Sequence, residues 1–427
     1  MPSSLPSRAV AARPAVRRLA AARLLSMTGT DASGVAIGFA LYAQTRSTAW
    51  LSLSLLLTIG AGSVLAPLGG WLGDRLPRRP LMVGCELTAA ALFTTLAFVH
   101  APAAILAIGL LASALGAVFG PAAGAAIAHV AGAERLSWAN GLIAASANVG
   151  KTAGRLGGGL LIALAGPGAV FLFDAFTFLA SALLIASVAL PFGGRARDAG
   201  EPAAALAATA AFANDSAPSP ARGGGMLLVL RDGAIRPVVL AACVGTFATA
   251  FSMTAEVPLV FELGGGALAL GALTACWALG MVAGSWHAGR VLHAGNEATG
   301  VLAGRALMAA GIGSVALAGT LAPALLAYLA GGLGGGFMGV AAQSLVLRRA
   351  AEEQRARVLG AIDACRNTAF GAGVLLAGVV VAPLGPTSVY GLVGLGMALG
   401  CLPLVALVRR LGGVRPLRAP AVAVAEG

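Results

Sequence analysis

Apolar residues run through this chain in stretches of about 20, separated by short punctuation containing Gly, Pro or Arg. A helix of that length rises about 30 Å, the thickness of a bilayer's hydrocarbon core. The pattern predicts twelve such spans, at about 24–44, 50–72, 80–99, 103–126, 139–164, 168–190, 237–261, 266–288, 299–319, 322–346, 357–382 and 388–408. One long polar segment interrupts them, from Phe192 to Arg236, rich in Ala, Pro, Gly and Ser and holding Arg195, Arg197, Arg222 and Arg231. It reads as a linker between halves. The expected organisation is a basic cytoplasmic tail (1–23), a six-helix bundle (24–190), a cytoplasmic linker (191–236), a second six-helix bundle (237–408) and a cytoplasmic tail (409–427).

Composition agrees with an all-α integral membrane protein. Of 427 residues, 58% are hydrophobic and 10% charged, and the mean hydropathy is +0.90. A soluble chain of this length needs about 25% charged residues to cover its surface. The net charge of +12 raises nucleic acid as a partner, but the basic residues fall singly between apolar runs and form no basic face interleaved with aromatics. Arg8, Arg13, Arg17, Arg18 and Arg23 precede an apolar stretch that is too long for a cleaved signal and carries Asp31, so it reads as the first span. Loop arginines give the orientation. Arg75, Arg78, Arg79, Arg135, Arg290, Arg348, Arg349, Arg355, Arg409 and Arg410 fall in or beside even-numbered loops and the C-terminal tail, whereas the odd-numbered loops hold only Arg46. By the positive-inside rule both termini and the linker are cytoplasmic, here at a bacterial inner membrane.

The two halves echo each other. Gly69–Arg75 (GGWLGDR) and Gly284–Arg290 (GSWHAGR) share Gly, Trp and Arg after spans 2 and 8. At one constant offset Gly141 matches Gly360, Asn148 matches Asn367, Gly154 matches Gly373, Gly159 matches Gly378, and Gly166-Pro167 matches Gly385-Pro386. Six helices repeated as six more, with a linker between, is the plan of carriers whose bundles rock about a midplane site.

Several motifs carry a family resemblance. The run GWLGDRLPRRPL after span 2 resembles the cytoplasmic signature of the major facilitator superfamily, with Gly70, Asp74, Arg75, Arg78 and Arg79 in its places and Pro77 where Gly is usual. The resemblance implies a conformational latch: Asp74 pairs with a cation or a helix N-terminus of the other bundle, near Arg357, and Glu86 supports it from span 3. Span 5 is similar to the superfamily's antiporter motif, with Gly141, Gly150, Gly154, Gly158 and Gly159 at its intervals and Arg155 where Pro is usual. Gly150, Gly154 and Gly158, four apart, make a smooth face for close helix approach. RLSWANG before span 5, FLFDAFTFLASALL in span 6 and EEQRARVLG entering span 11 look like the branch of macrolide-efflux and enterobactin-export proteins. The Arg that many superfamily exporters carry in span 4 is missing, since Ile105 to Gly124 holds no charge.

Ionisable groups inside spans cost several kcal/mol unless paired or hydrated, which makes them functional candidates. They are Asp31, Glu86, Lys151, Arg155, Asp174, Glu256, Asp363 and Arg366. On the predicted boundaries Asp31 and Asp363 lie about 10 Å from the cytoplasmic ends of their helices and Lys151 about 18 Å. Asn148, Lys151 and Arg155 share one face of span 5, and the two cations need compensation by Asp31, Asp363, Glu256 or an anionic substrate. Lys151 is the only lysine in the chain. Asp31 is the first candidate for proton coupling and Asp363 the second, with Arg366 one turn away as its possible fixed partner. Asn148, Lys151, Arg155, Glu256 and Arg366 are candidates for the substrate cavity, while Asp174 and Glu256 lie toward outer ends where structural roles are expected.

Other chemistries find no support in the pattern. Five cysteines lie singly in apolar segments, and His100, His129, His287 and His293 have no metal spacing. No phosphate-binding Gly-rich loop with a following Lys occurs, so neither an ATP-driven pump nor a cofactor enzyme is expected. The expected protein is a monomeric major-facilitator-type secondary transporter exporting small organic molecules, drug-like or siderophore-like, by proton antiport. The same-fold alternative is an uptake symporter or facilitator; a membrane-embedded enzyme or receptor is the remote one.

Overall fold

The apolar runs are helical throughout the parts of the chain that the computed structural model describes, residues 5–60, 65, 71–72, 75–192, 225–293, 295–350 and 354–412. In the numbering used below, αn is span n. The first helices are α1 (Leu5–Thr45), α2 (Thr48–Leu55, continued by the π-helical turn Leu56–Gly60), α3 (Arg78–Leu96) and α4 (Pro102–Ala131). The run Leu136–Ala186 is broken at Gly166, whose φ of 80° and ψ of 171° are non-helical, into α5 (136–165) and α6 (167–186). A short helix, Gly225–Arg231, leads into α7 (Ile235–Glu262), α8 (Ala267–Val291), α9 (Glu297–Ser314), α10 (Leu321–Arg349), α11 (Arg355–Leu384) and α12 (Pro386–Leu399), which α13 (Leu402–Gly412) extends. Among the described residues nine helices are long and apolar enough to cross a membrane. Dividing the one that holds α5 and α6, and adding α2 and the more polar α3, gives the twelve expected spans.

The first helix departs from expectation. It begins at Leu5, so 5–23, expected as a tail, is helix. Charge hid this: Arg13, Arg17 and Arg18 line one exposed face, while Ala12, Ala15, Val16, Leu19, Ala20 and Arg23 form a buried face at helical spacing. A search for uniformly apolar runs misses such an amphipathic extension. Asp31 is accordingly not near the start of its helix but about 20 Å from its far end. The expected linker is also shorter than drawn, because Gly225–Arg231 is helical and α7 starts at Ile235; residues 193–224 lie outside the described ones. At the C-terminus α13 runs to Gly412, into the expected tail, and 413–427 lie outside the described residues.

Glycines set the helix spacing. A Cβ at Gly150, Gly154 or Gly158 would overlap the backbone of α1 at Leu24, Thr28 and Ala32 respectively, so the glycine face predicted on α5 is pressed against α1. Gly141, expected in the same set, is exposed and touches nothing there; nine residues before Gly150, it lies half a turn round α5 from the face pressed on α1. The repeat positions behave alike in space. Gly154 meets Thr28 of α1 and Gly373 meets Phe247 of α7, while Gly159 meets Gly271 of α8 and Gly378 meets Ser52 of α2. Gly166 and Gly385 both adopt positive φ, at 80° and 76°, to turn the chain into α6 and α12. Bulk at Gly150, Gly154, Gly158, Gly159 or Gly373 is expensive because backbone, unlike a side-chain tip, cannot step aside. Gly154→Leu is expected to destabilise the protein by roughly 3 kcal/mol, read as a lowered thermal midpoint in detergent, whereas Gly141→Leu leaves it unchanged.

The early part of α1, through Val16, and α13, through Leu407, pack in clusters at one face of the bundle pair, the terminal face. Toward the opposite face a single core joins the two halves, with Leu41, Leu51, Phe93 and Ile162 packed together with Leu259, Leu270 and Val381. Toward the terminal face the core divides. One cluster, with Val16, Met82, Ile127 and Ile185, belongs to the first half alone, and two others, around Val301 and Leu345 and around Val346 and Val358, belong to the second. The halves therefore close on each other away from the termini.

Candidate functional site

The spacing of Arg155 after the glycine face carries its side chain along α5 toward α1. There its Nε donates to Asp31 Oδ1 at 2.9 Å, an ion pair with 40% and 13% of the two side chains exposed. The compensation expected for the cations of α5 thus comes from within the same half. Glu256, half-buried on α7, lies in electrostatic range of Arg155 and belongs to the other half, so Arg155 stands between two carboxylates, one from each bundle. Lys151, one turn earlier on α5, is half-buried and engaged with a partner; Asn148 is exposed, its carbonyl accepting from Thr152 Oγ1.

Behind Glu256 the second half presents a buried aromatic group. Tyr328 and Tyr390 share a short hydroxyl–hydroxyl bond, Tyr390 donates to the Ser252 carbonyl at 3.0 Å, and Trp277 meets Tyr328 edge-on at 6.4 Å. Asp363 and Arg366 do not join this set. They lie exposed on the terminal-face half of α11, 3.9 Å from each other, with Arg366 Nε at 3.5 Å from Thr246 Oγ1.

The opposite face is shut by a clasp from both halves. Phe39 stacks on Phe261 at 5.6 Å, Tyr42 tilts against it at 5.3 Å, and the Arg46 guanidinium sits 4.5 Å above the same ring. Beside it Thr48 Oγ1 donates to the Gly378 carbonyl, and Ser52 and Thr254 share a hydrogen bond.

At the terminal face the proposed latch divides. Gly70 and Asp74 lie outside the described residues. Arg78 donates to the Phe192 carbonyl, while Arg79 donates to the carbonyls of Val188 and Leu190 and covers the Phe192 ring. These two arginines hold the segment that follows α6 in their own half. Arg75 stacks on Trp71 at 4.1 Å, and the repeat pair Arg290 and Trp286 stacks likewise at 3.2 Å. Glu86 is buried inside the first bundle, where Ser181 and Arg23 face it, because its helical position on α3 points inward.

The sequence profile of the Major Facilitator Superfamily matches residues 19–373. The chain belongs to the Major Facilitator Superfamily. Solved structures share its fold at low identity. The human organic anion transporter MFSD10 (TETRAN) has a TM-score of 0.58 at 19% identity, over 92% of this chain and 99% of that one. A bacterial homolog of the human lysosomal transporter Spinster, in its inward-facing and unoccupied conformation, has a TM-score of 0.63 at 14% identity, over 94% and 96%. A POT family transporter in complex with 5-aminolevulinic acid has a TM-score of 0.69 at 11% identity, over 93% and 96%. No curated protein matches at a significant level. The protein is a multi-pass membrane transporter of the superfamily and not an enzyme.

Three groups in this superfamily member escaped the sequence reading. Arg305, buried on α9, donates to the Ala241 carbonyl, and its guanidinium fills the space left by Gly245. It is the one charge in the predicted span 299–319, and the rule that selected the other intramembrane charges selects it too. The tyrosine pair escaped because the search followed residues charged at neutral pH and the face of span 5 that carries them. Arg23 and the buried hydroxyls of Ser26, Ser33, Thr177 and Ser181 escaped because Arg23 lies in the part of α1 expected as a tail and the periodicity of small polar residues was not followed.

Proposed function

We propose that this transporter exports small amphipathic or anionic organic molecules across a bacterial inner membrane by proton antiport, as a monomer with both termini cytoplasmic. The chain would then divide into two bundles, 24–190 and 237–408, rocking about the Arg155 region. The observation that carries the reading is the Asp31–Arg155 pair, held where α5 packs glycine-to-backbone on α1 and within range of Glu256 across the bundle interface. A proton on Asp31 neutralises it and weakens the pair, so that Arg155 turns to Glu256 and occupies the carboxylate that otherwise receives a donor group of the compound. Release of that proton re-forms the pair and returns the site to its starting charge. Substrate and proton thereby exclude each other through one side chain, the requirement for exchange in opposite directions. The clasp at the opposite face supports the same cycle, since the form seen is shut on the side away from the termini. Arg155 in place of the antiporter motif's Pro favours a second reading, a uniporter or symporter of the same fold.

The test is proton movement in everted membrane vesicles, followed with a pH-sensitive dye while macrolides, dyes, lipophilic cations and catechol-type anions are added in turn. Antiport is expected to give proton release from the vesicle interior with at least one compound class. Transport of labelled compound with no accompanying proton movement would establish the uniport reading instead, and movement of both in the same direction would establish symport.

A further inference from the structure

A second polar region lies inside the first bundle, away from the Asp31–Arg155 pair. On α1, Arg23, Ser26 and Ser33 share one face with Gly29, and on α6, Asp174, Thr177 and Ser181 are spaced by three and four. All these side chains are more than nine-tenths buried, as is Glu86 on α3. The two stripes meet at Gly29, where a Cβ would overlap Asp174 Oδ1 and Thr177 Oγ1. Thr177 donates to Asp174 Oδ1 at 3.2 Å, Ser33 faces the same carboxyl, and Ser181 faces Glu86. A narrow cavity opens between Arg23, Ser26, Glu86 and Ser181, walled by Met82 and Phe119. Glu86 Oε2 beside the cavity, Asp174 Oδ2 further along, and the hydroxyls of Ser33 and Ser181 are buried with no hydrogen-bond partner.

Such a set is costly in a bundle core. An ionised carboxylate with an unsatisfied buried oxygen costs several kcal/mol, and the cost is relieved by a proton or a water. The cavity has room for about one water molecule. Arg23 beside Glu86 opposes a metal cation there. The groups facing Glu86 are Arg23 from α1, Asp174 from α6 and the adjacent Cys85, with Phe119 alone from α4. Those facing Asp174 are Asp31 from α1 and Glu86 from α3. The column thus runs from the terminal-face part of the bundle to the neighbourhood of Asp31.

We infer that Glu86 and Asp174 form an enclosed proton-binding site inside the first bundle, connected through Ser181, Thr177 and Ser33 to Asp31, and that this site loads and unloads the coupling proton. The inference rests on the antiport reading. Each carboxylate takes one proton from water to become a carboxylic acid and returns it in the same form, with no other bond changed. Asp31 is the point at which this store meets Arg155. Glu86 and Asp174 act at a distance from substrate, so they are expected to govern proton movement without governing what is bound.

Difference infrared spectroscopy of the reconstituted full-length protein, with pH steps and exchange into heavy water, tests the site without any substrate. Wild type is expected to show a protonated-carboxyl band that titrates and shifts in heavy water, and Glu86→Gln and Asp174→Asn each to remove part of it. Glu86→Asp, which keeps a carboxyl, is expected to restore the titrating band. In vesicles each amide variant is expected to lower compound-driven proton movement about tenfold or more while exchange of labelled for unlabelled compound persists. A band untouched by both amide variants overturns the site, and so do proton movements equal to wild type in both. A titrating wild-type band with no proton movement for any compound overturns the antiport reading instead. If one variant fails to fold by its thermal midpoint, the other carries the test, since the two residues stand on different helices.

Discussion

Asp31→Asn is expected to abolish compound-driven proton movement while leaving a folded protein that still exchanges labelled for unlabelled compound. The amide keeps the shape of the side chain and an oxygen acceptor for Arg155 Nε, now at 2.9 Å, but loses the charge and the proton. Removing one member of a fully buried ion pair costs about 3–5 kcal/mol because the other charge is stranded. Arg155 is 40% exposed, so solvent takes over much of its stabilisation and the cost falls to about 1–2 kcal/mol. The expected thermal shift is therefore small, and coupling, not folding, is what the variant loses. Arg155→Gln should behave differently. It leaves Asp31 with its proton chemistry and removes the cation that answers it, so proton binding persists while the compound no longer displaces it. A double variant, Asp31→Asn with Arg155→Gln, separates pairing from coupling. If its thermal midpoint returns toward wild type while proton movement stays lost, the two residues interact as described. Equal loss of folded protein in all three variants would reduce the pair to a structural bridge.

The fold was legible in the sequence because its two strongest signals are physical necessities. Apolar runs long enough to cross a bilayer must be helical, and two helices can press this closely only where at least one of them carries no side chain. The matches Gly154 with Gly373, Gly159 with Gly378 and Gly166 with Gly385 therefore mark contacts, and each pair plays the same role in its own half. The site was legible only in part. Asp31, Arg155 and Glu256 stand out as charges in apolar spans, yet nothing in their spacing says that Arg155 turns to α1 and that Asp363 and Arg366 stay apart on α11. That choice depends on which face of α5 the glycines press against its neighbour. Glu86 was assigned by depth to the latch, but depth fixes only one of two coordinates on a helix; its rotation puts it beside Ser181 inside the bundle. Arg78 and Arg79 likewise carry the family's motif while binding carbonyls of the segment just past α6, a partner invisible until α6 has an end.

The second large effect is expected at the closed face, from Gly159→Leu and Gly378→Leu. Gly159 lies Cα-to-Cα on Gly271, and Gly378 lies on Ser52, so each joins α5 or α11 to a helix of the other bundle. A branched side chain at either position cannot fit while the opposite face is shut. It can be accommodated when the bundles part there, since the atoms nearest a Cβ at Gly159 or Gly378 all belong to the other bundle. The clash thus acts on one conformation and spares the other, which is the condition for shifting a population instead of unfolding a protein. Reversing a two-state equilibrium from 99:1 to 1:99 takes about 5.5 kcal/mol, and overpacking costs about 1–3 kcal/mol per site. One substitution should therefore populate the form open on that face, and the pair should make it dominant. Distances between spin labels on Tyr42 and Phe261 replaced by cysteine, measured by electron paramagnetic resonance, are expected to lengthen stepwise from wild type to single to double variant. Labelling at these two positions also removes the aromatic clasp, so a second label pair on Leu317 and Phe98, both exposed, serves as the control. Exchange of labelled compound should fall by about tenfold or more in the double variant, because the carrier is held in one state of its cycle. Unchanged distances with lost exchange would place the damage in folding; unchanged exchange would show that this glycine seam does not open during transport. Gly154→Leu supplies the contrast, since its clash with Thr28 lies within one bundle and is present in every conformation.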